Sequence, residues 1–582
     1  MDIIFKLLKV SLSLIYPIIL ILLFLYIYKN NNYNQIINDK YKTIIRNTII
    51  VSIIFTIGFI IFFIFEDTIY RFDYAGAWSR NLELRNNYTN PLELLKYVYQ
   101  TMLNNDYTSL SSLFQLGATF VSTSYGFLAY STFIYYYLPI FILLQVLYFK
   151  YYNRYDYLPI IISIMFYPLY ISIFFGIIDI SGLLFFIISI MLVIIPKFKD
   201  ISNKDYLLIN ILVFIMIFLR RWYLYPVLGL YICIFIKYLY YYKFKINKES
   251  IKDLFRIISS GIILLLVLIL FFRPYLERLL LNDFSSAYNY YDRGHKILGL
   301  INFYSILYCL VCVHGISKLI INKLYCNITN ILLVIIVLIP LLLFWNIQNL
   351  EFHHYYMISF SILVLFTYGL YNIFSLNNKL KYLIMGLSII QLCFIFSPYP
   401  NDTRLITTVR KFPERLEYKS DVVDISTYLN NVGGEWVYGY VATGNYSFND
   451  DILKNATLPY KNNMKYVYAT LDDRDNFPAD FEAIKYVVIS DPIMYLQEPK
   501  YQQMYKVITD AIVNNELFKD YYNKVYTKPL TYKSYNPIKV HNTNIMIYER
   551  TKDLTQDHLD YLYDEMIKLY PNNKDKYHHI NN

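Results

Sequence analysis

Residues 47–78 read NTIIVSIIFTIGFIIFFIFEDTIYRFDYAGAW. From Asn47 to Phe65 the run carries no charge, and from Glu66 it turns abruptly acidic and aromatic. An apolar run of about 17 to 25 residues can cross a bilayer as a helix, because all its backbone hydrogen bonds are made within the segment. The stretch therefore reads as a membrane span that ends at Phe65 and delivers a polar motif to one face of the membrane.

The same pattern recurs along the chain. About twelve apolar segments of near-spanning length are expected at 8–28, 47–65, 127–149, 157–175, 177–195, 206–219, 222–241, 257–272, 297–317, 328–345, 355–374 and 380–397. Hydrophobic residues make up 57% of the chain and charged ones 16%, and the charge is confined to the connections and to the region after about residue 400. Two compositional regimes mean two physical environments. Residues 1–398, with the long loop 66–126, are expected to form a transmembrane domain. Residues 399–550 are expected to form a polar domain, and 551–582 a terminal helix with a fraying tail.

Lysine and arginine collect on alternate loops: Lys29 to Arg46, Lys150 and Arg154, Lys197 to Lys204, Lys243 to Arg256, Lys318 and Lys323, Lys379 and Lys381. That bias marks those loops as cytoplasmic. The opposite set then faces the exterior: 66–126, turns near 176 and 220, 273–296, 346–354, and everything beyond 398. A net charge of +10 is explained by this topology, which removes the case for a nucleic-acid partner. Lys6 and Lys9 before an apolar run resemble a signal peptide, but no small-residue cleavage site follows Tyr26, so the segment reads as a retained helix. Five cysteines, Cys233, Cys309, Cys312, Cys326 and Cys393, lie in or beside apolar segments and outline neither a disulfide framework nor a thiolate metal site.

Patterned stretches at 91–103 and 109–114 predict short helices within loop 66–126, lying on the membrane surface. Beyond residue 400, β-rich runs at 436–442, 466–471, 486–490 and 545–548 alternate with helical periodicity at 421–431 and 502–515, and 555–570 reads as a final helix. Strands alternating with helices predict a small α/β layer domain.

The charged and aromatic clusters fall at the exterior mouths. Glu66, Asp67, Arg71 and Asp73 open the first long loop, followed by Tyr74, Gly76 and Trp78. Asp73 is the foremost catalytic candidate, because Gly76 in its F-D-Y-A-G-x-W string allows close backbone approach; plain solvation is the alternative for Glu66, Asp67 and Asp73, and an interfacial aromatic belt accounts for Tyr74 and Trp78. Asp106 supplies a further carboxylate, or a helix N-cap. Arg220 and Arg221 violate the charge bias and call for an anion: a phosphate gripped by the guanidinium fork, a lipid headgroup, or a structural ion pair. Tyr223 follows them. Arg273, Arg278, Arg293, Asp283 and Asp292 share the next exterior loop. His353, His354 and Tyr355 follow Glu351 at a later mouth, and adjacent histidines on a regular helix do not converge on one metal ion. No P-loop, G-x-S-x-G or H-E-x-x-H string is present.

This order of motifs resembles the GT-C superfamily of multi-spanning glycosyltransferases. The strings FEDTIYRFDYAGAW at 65–78, RRWY at 220–223 and HHYY at 353–356 look like those of bacterial polytopic sugar transferases. The stretches Tyr486–Asp491, Phe518–Leu530 and Asn544–Glu549 look like their exterior domain. The resemblance implies an α-helical polytopic fold with a C-terminal extracytoplasmic α/β domain. It implies a polyprenyl-phosphate sugar as donor, with a glycan, lipid or protein as acceptor in the cell envelope. Carried over, it makes Asp73 the catalytic carboxylate, with Asp67 and Asp106 as rivals. Glu66, Arg71, Arg220, Arg221, Tyr223, His353, His354 and Tyr355 become substrate-binding candidates, and a divalent cation stays an open question. Two other readings compete: a lipid or glycan transporter, for which Asp179 is the clearest charge inside an apolar stretch, and a non-catalytic envelope scaffold.

Overall fold

The computed structural model describes residue 8 and residues 10–571, apart from 72, 88–89, 106, 153, 282–291, 348, 351, 377, 397–410, 434–436, 459–463, 468–480, 497 and 536–537. The chain divides into two compact units: a helical one, Met1–Phe65 with Arg80–Pro413, and a sheet-bearing one, Glu66–Ser79 with Glu414–Asn582. The sheet unit thus begins later than the expected boundary at 399 and also takes in the start of the first long loop.

In the helical unit the elements are α1 (Ile15–Lys29), α2 (Asn34–Phe65), α3 (Asp73–Asn87, beginning in the sheet unit), α4 (Pro91–Asn104), α5 (Leu110–Val121), α6 (Tyr125–Tyr151), α7 (Leu158–Met165), α8 (Ile180–Val193), α9 (Asn203–Leu219), α10 (Leu224–Tyr242), α11 (Lys248–Phe271), α12 (Arg273–Leu281), α13 (Arg293–Tyr304), α14 (Ile306–Ile321), α15 (Ile328–Ile347), α16 (Tyr356–Leu376) and α17 (Asn378–Ile395). Among the described residues, seven helices are long and apolar enough to cross a membrane: Val10–Lys29, Asn34–Phe65, Tyr125–Tyr151, Arg221–Tyr242, Lys248–Phe271, Ile328–Ile347 and His353–Ser375. The pair α13 and α14, bent by 92°, makes an eighth if taken as one span. Ser305 forms the bend with φ 67°, and its hydroxyl accepts from the amide of Tyr308 to cap α14.

Four expected spans are not among these helices. The 157–175 stretch breaks after α7 at a turn holding Pro168, which cannot continue a helix as a donor. In 177–195 the helix is α8, 14 residues long and buried all round, so its apolarity answers to protein neighbours rather than lipid. The helix α9 has 17 residues, and α17 carries Lys379 and Lys381 in its first turn. Close approach elsewhere depends on glycine: a Cβ at Gly369 would sit 2.2 Å from the Val311 carbonyl oxygen, and one at Gly315 2.6 Å from that of Leu365, so α14 and α16 pack backbone to backbone.

The sheet unit is an α/β/α sandwich. Its elements are α18 (Lys419–Gly433), β1 (Tyr438–Val441), α19 (Asp450–Asn455), β2 (Lys465–Val467), β3 (Ile484–Asp491), α20 (Gln503–Asn514), β4 (Tyr522–Tyr535), β5 (Ile538–Arg550) and α21 (Gln556–Leu569). The strand order is β2-β1-β3-β5-β4, with β2, β1 and β3 parallel and β5 antiparallel to both neighbours. Period-two alternation splits the core: Tyr440, Val487 and Ile489 pack with α20 and α21, whereas Val441, Tyr486 and Val488 pack with α18 and α19. Ile69, from the loop-opening stretch, is buried in the second cluster. The expected fraying of 572–582 concerns residues outside those described.

Candidate functional site

In the helical unit the polar residues of several mouths converge on Arg220. It follows the last residue of α9, and its extended backbone ends the helix there. Its Nε lies 2.7 Å from Asp179 Oδ1, with both side chains under a tenth exposed. Its Nη2 donates to the Tyr107 hydroxyl at 3.0 Å and approaches His353 Nε2 at 3.1 Å. A guanidinium has no acceptor, so His353 Nε2 accepts and the ring proton resides on Nδ1. The guanidinium also stands 3.9 Å from the Tyr107 ring centre, and Arg80 stands 5.3 Å from the same ring. Two like charges gathered about one tyrosine repel more strongly in a low-dielectric setting, and Asp179 offsets one of them.

Each supporting residue is fixed by local chemistry. Tyr223 is wholly buried, and its hydroxyl donates to the Asp179 carbonyl at 2.7 Å. Gly182 makes room for it, since a Cβ there would fall 2.3 Å from the Tyr223 ring. Thr108 donates to the Phe218 carbonyl, which ties the segment bearing Tyr107 to the end of α9. The histidines lie on a 3-10 turn, Phe352–Tyr355, where their ring centres come within 4.1 Å. His354 stacks on Phe344 at 5.0 Å and meets Trp222 edge-on at 5.6 Å. The expectation from a regular helix, that the two rings diverge, is corrected by this tighter turn. Arg221 stacks 4.3 Å from the centre of the Trp222 ring. Tyr355 packs at 4.0 Å against Phe303 in an aromatic cluster, which makes it a packing residue in this structure. Lys296, not singled out in the sequence, is buried and donates to the Trp345 carbonyl at 2.9 Å.

In the sheet unit, residues 66–71 are pinned down. The Asp67 amide donates to the Glu414 carbonyl at 2.8 Å, the Leu416 amide donates back to Asp67 at 2.9 Å, and the Asp67 carboxylate pairs with Lys419. Glu66 accepts from the Tyr70 hydroxyl at 2.8 Å, Arg71 faces Glu414 at 3.7 Å, and Asn455 donates to the Tyr70 carbonyl at 3.0 Å. Asp73 opens α3, where an acidic first-turn residue suits the helix dipole, and it is half-buried. Its carboxylate has no hydrogen-bond or ion-pair partner among the described residues. Elsewhere in this unit, burial and the neighbouring Asp451 push the Asp450 carboxyl up to about 7. Asp106, Asp283 and Glu351 lie outside the described residues.

Sequence reasoning identified Arg220 and His353 but not their meeting point, Tyr107, nor Arg80; the signal for Arg80 was its place two turns after Asp73 on one helix. Among the described residues, no three His, Cys, Asp or Glu side chains converge as a metal-binding group. No protein-family model matches the chain, and no curated protein matches it.

Proposed function

We propose that the protein is a multi-pass membrane glycosyltransferase that moves a sugar from a polyprenyl-phosphate donor to an envelope acceptor at the exterior face, where the sheet unit also lies. One observation carries the choice of base. Of the carboxylates that open the first long loop, Glu66 and Asp67 engage Tyr70 and Lys419, whereas Asp73 is left without a partner among the described residues. In the proposed reaction the acceptor hydroxyl oxygen bonds to the anomeric carbon as the bond from that carbon to the phosphate oxygen breaks. Asp73 takes the hydroxyl proton, and polyprenyl phosphate leaves with the electron pair. In this reading Arg220 or Arg221 offsets the charge of the departing phosphate, and Arg220 is held by Asp179, Tyr107 and His353.

The test is sugar transfer, or donor hydrolysis, by the purified full chain with a panel of polyprenyl-phosphate sugars. Asp73→Asn is expected to lower turnover by about 10²- to 10⁴-fold with donor binding retained. Full turnover in that variant removes Asp73 from the chemistry, and no turnover by wild type with any donor removes the transferase reading. A transporter is the second reading, favoured by the buried Asp179–Arg220 pair and by the 92° break between α13 and α14. It predicts movement of the lipid-linked sugar across proteoliposomes with no glycosidic bond broken.

A further inference from the structure

A cavity of about 830 Å³ opens within the helical unit among α6, α14, α15 and α16. Protein interiors are close-packed, so a space of this size, in the range of about 300–1,000 Å³ typical of ligand sites, is not a packing defect. While α14 and α16 touch backbone to backbone at Gly315 and Gly369, the space they bound with α6 and α15 is left open. Its walls are aliphatic, with Ile140, Leu338 and Val364 as examples. Its polar rim, which includes Tyr151, Asn330 and Tyr368, is drawn from the helix ends that adjoin the lysine- and arginine-bearing loops.

Lysines adjoin that rim in the sequence. The stretch 316–324 supplies four lining residues, and it carries Lys318 and the exposed Lys323. Asn322 donates to the Tyr368 hydroxyl at 2.9 Å, which joins the end of α14 to α16 beside those lysines. An apolar chamber with a polar rim, whose lining residues neighbour Lys318 and Lys323 in sequence, is complementary to an amphiphile with an anionic head. Anionic lipids concentrate in the leaflet next to lysine-rich loops.

We infer that this cavity holds one acyl chain of an anionic glycerophospholipid from the leaflet on the lysine- and arginine-rich side, with its phosphate at Lys318 and Lys323. The site is independent of the proposed transfer reaction and holds whether or not that reading survives.

The experiment is native mass spectrometry of the full chain, after washing in mild detergent, reloaded with either phosphatidylglycerol or phosphatidylcholine. Wild type is expected to retain phosphatidylglycerol and to lose phosphatidylcholine. Val364→Trp fills the chamber, and the Lys318→Gln, Lys323→Gln double variant strips the rim charge; each is expected to lower retention at least about tenfold. The double variant changes loop-end residues, so it keeps the test decisive if Val364→Trp fails to fold. Equal retention of both lipids, unchanged retention in the double variant, or displacement of phosphatidylglycerol by polyprenyl phosphate overturns the inference, the last by assigning the chamber to the donor tail.

Discussion

Removing either partner of the Asp179–Arg220 pair leaves a charge inside the helical unit with its counterpart gone. Burial makes this costly: breaking such a pair from one side typically destabilises by about 3–5 kcal/mol, whereas replacing both partners with apolar residues is often close to neutral. Asp179→Leu and Arg220→Met are therefore each expected to lower stability by about 3–5 kcal/mol, and the double variant to recover most of the loss. Denaturant unfolding of the detergent-solubilised chain measures the cycle, and additive single effects would show that the two residues act separately. Arg220→Lys keeps the charge but cannot reach Asp179, Tyr107 and His353 at once. At this scale the sequence was half legible. Arginine between two apolar runs, against the loop charge bias, calls for an anion, and a structural ion pair is among the candidates. Its identity was hidden because Asp179 lies far earlier in the chain and meets Arg220 only through tertiary packing.

Elements were legible where periodicity and caps agree. Expected helices at 91–103, 421–431, 502–515 and 555–570 correspond to α4, α18, α20 and α21, and Pro91 with the Asn90 cap shows why α4 starts where it does. The edge strand β4 is not among the β-rich runs read from the sequence; its lysines and Pro529 are residues by which an exposed sheet edge avoids pairing with other chains. Hydropathy alone does not separate a span from a buried helix, so the stretch of α8 reads as a span in the sequence. Helix contacts carry the clearest prediction at this scale. Gly369→Ala adds a methyl group 2.2 Å from the Val311 carbonyl oxygen, a backbone atom that a rotamer change cannot move aside. The expected cost is about 1–3 kcal/mol, read as a lowered melting temperature, while Gly386→Ala, where nothing lies within 4 Å, is expected to be neutral or mildly stabilising. Equal melting temperatures for the two variants would mean that α14 and α16 do not touch as described.

For the whole molecule, the separation into a helical and a sheet-bearing unit was legible from composition, because apolar and charged residues occupy different stretches. The assignment of 66–79 was not, since Ile69 and Asp67 join the sheet unit through contacts with residues more than three hundred positions later, among them Tyr418 and Lys419. Sidedness ties these scales together: the proposed reaction needs the sheet unit and the mouth around Arg220 on the exterior, and the lipid site needs the lysine-rich loops inside. Cys326 is exposed on the 3-10 turn Leu324–Cys326, beside Lys323, and the exposed Tyr446 of the sheet unit can be changed to cysteine. In intact cells, a membrane-impermeant maleimide is expected to label Tyr446→Cys and to spare Cys326 until the cells are opened. Labelling of both from outside, or of Cys326 alone, would invert the topology that the loop charges imply. It would also place Asp73 and Arg220 on a face where a donor displayed outside could not reach them.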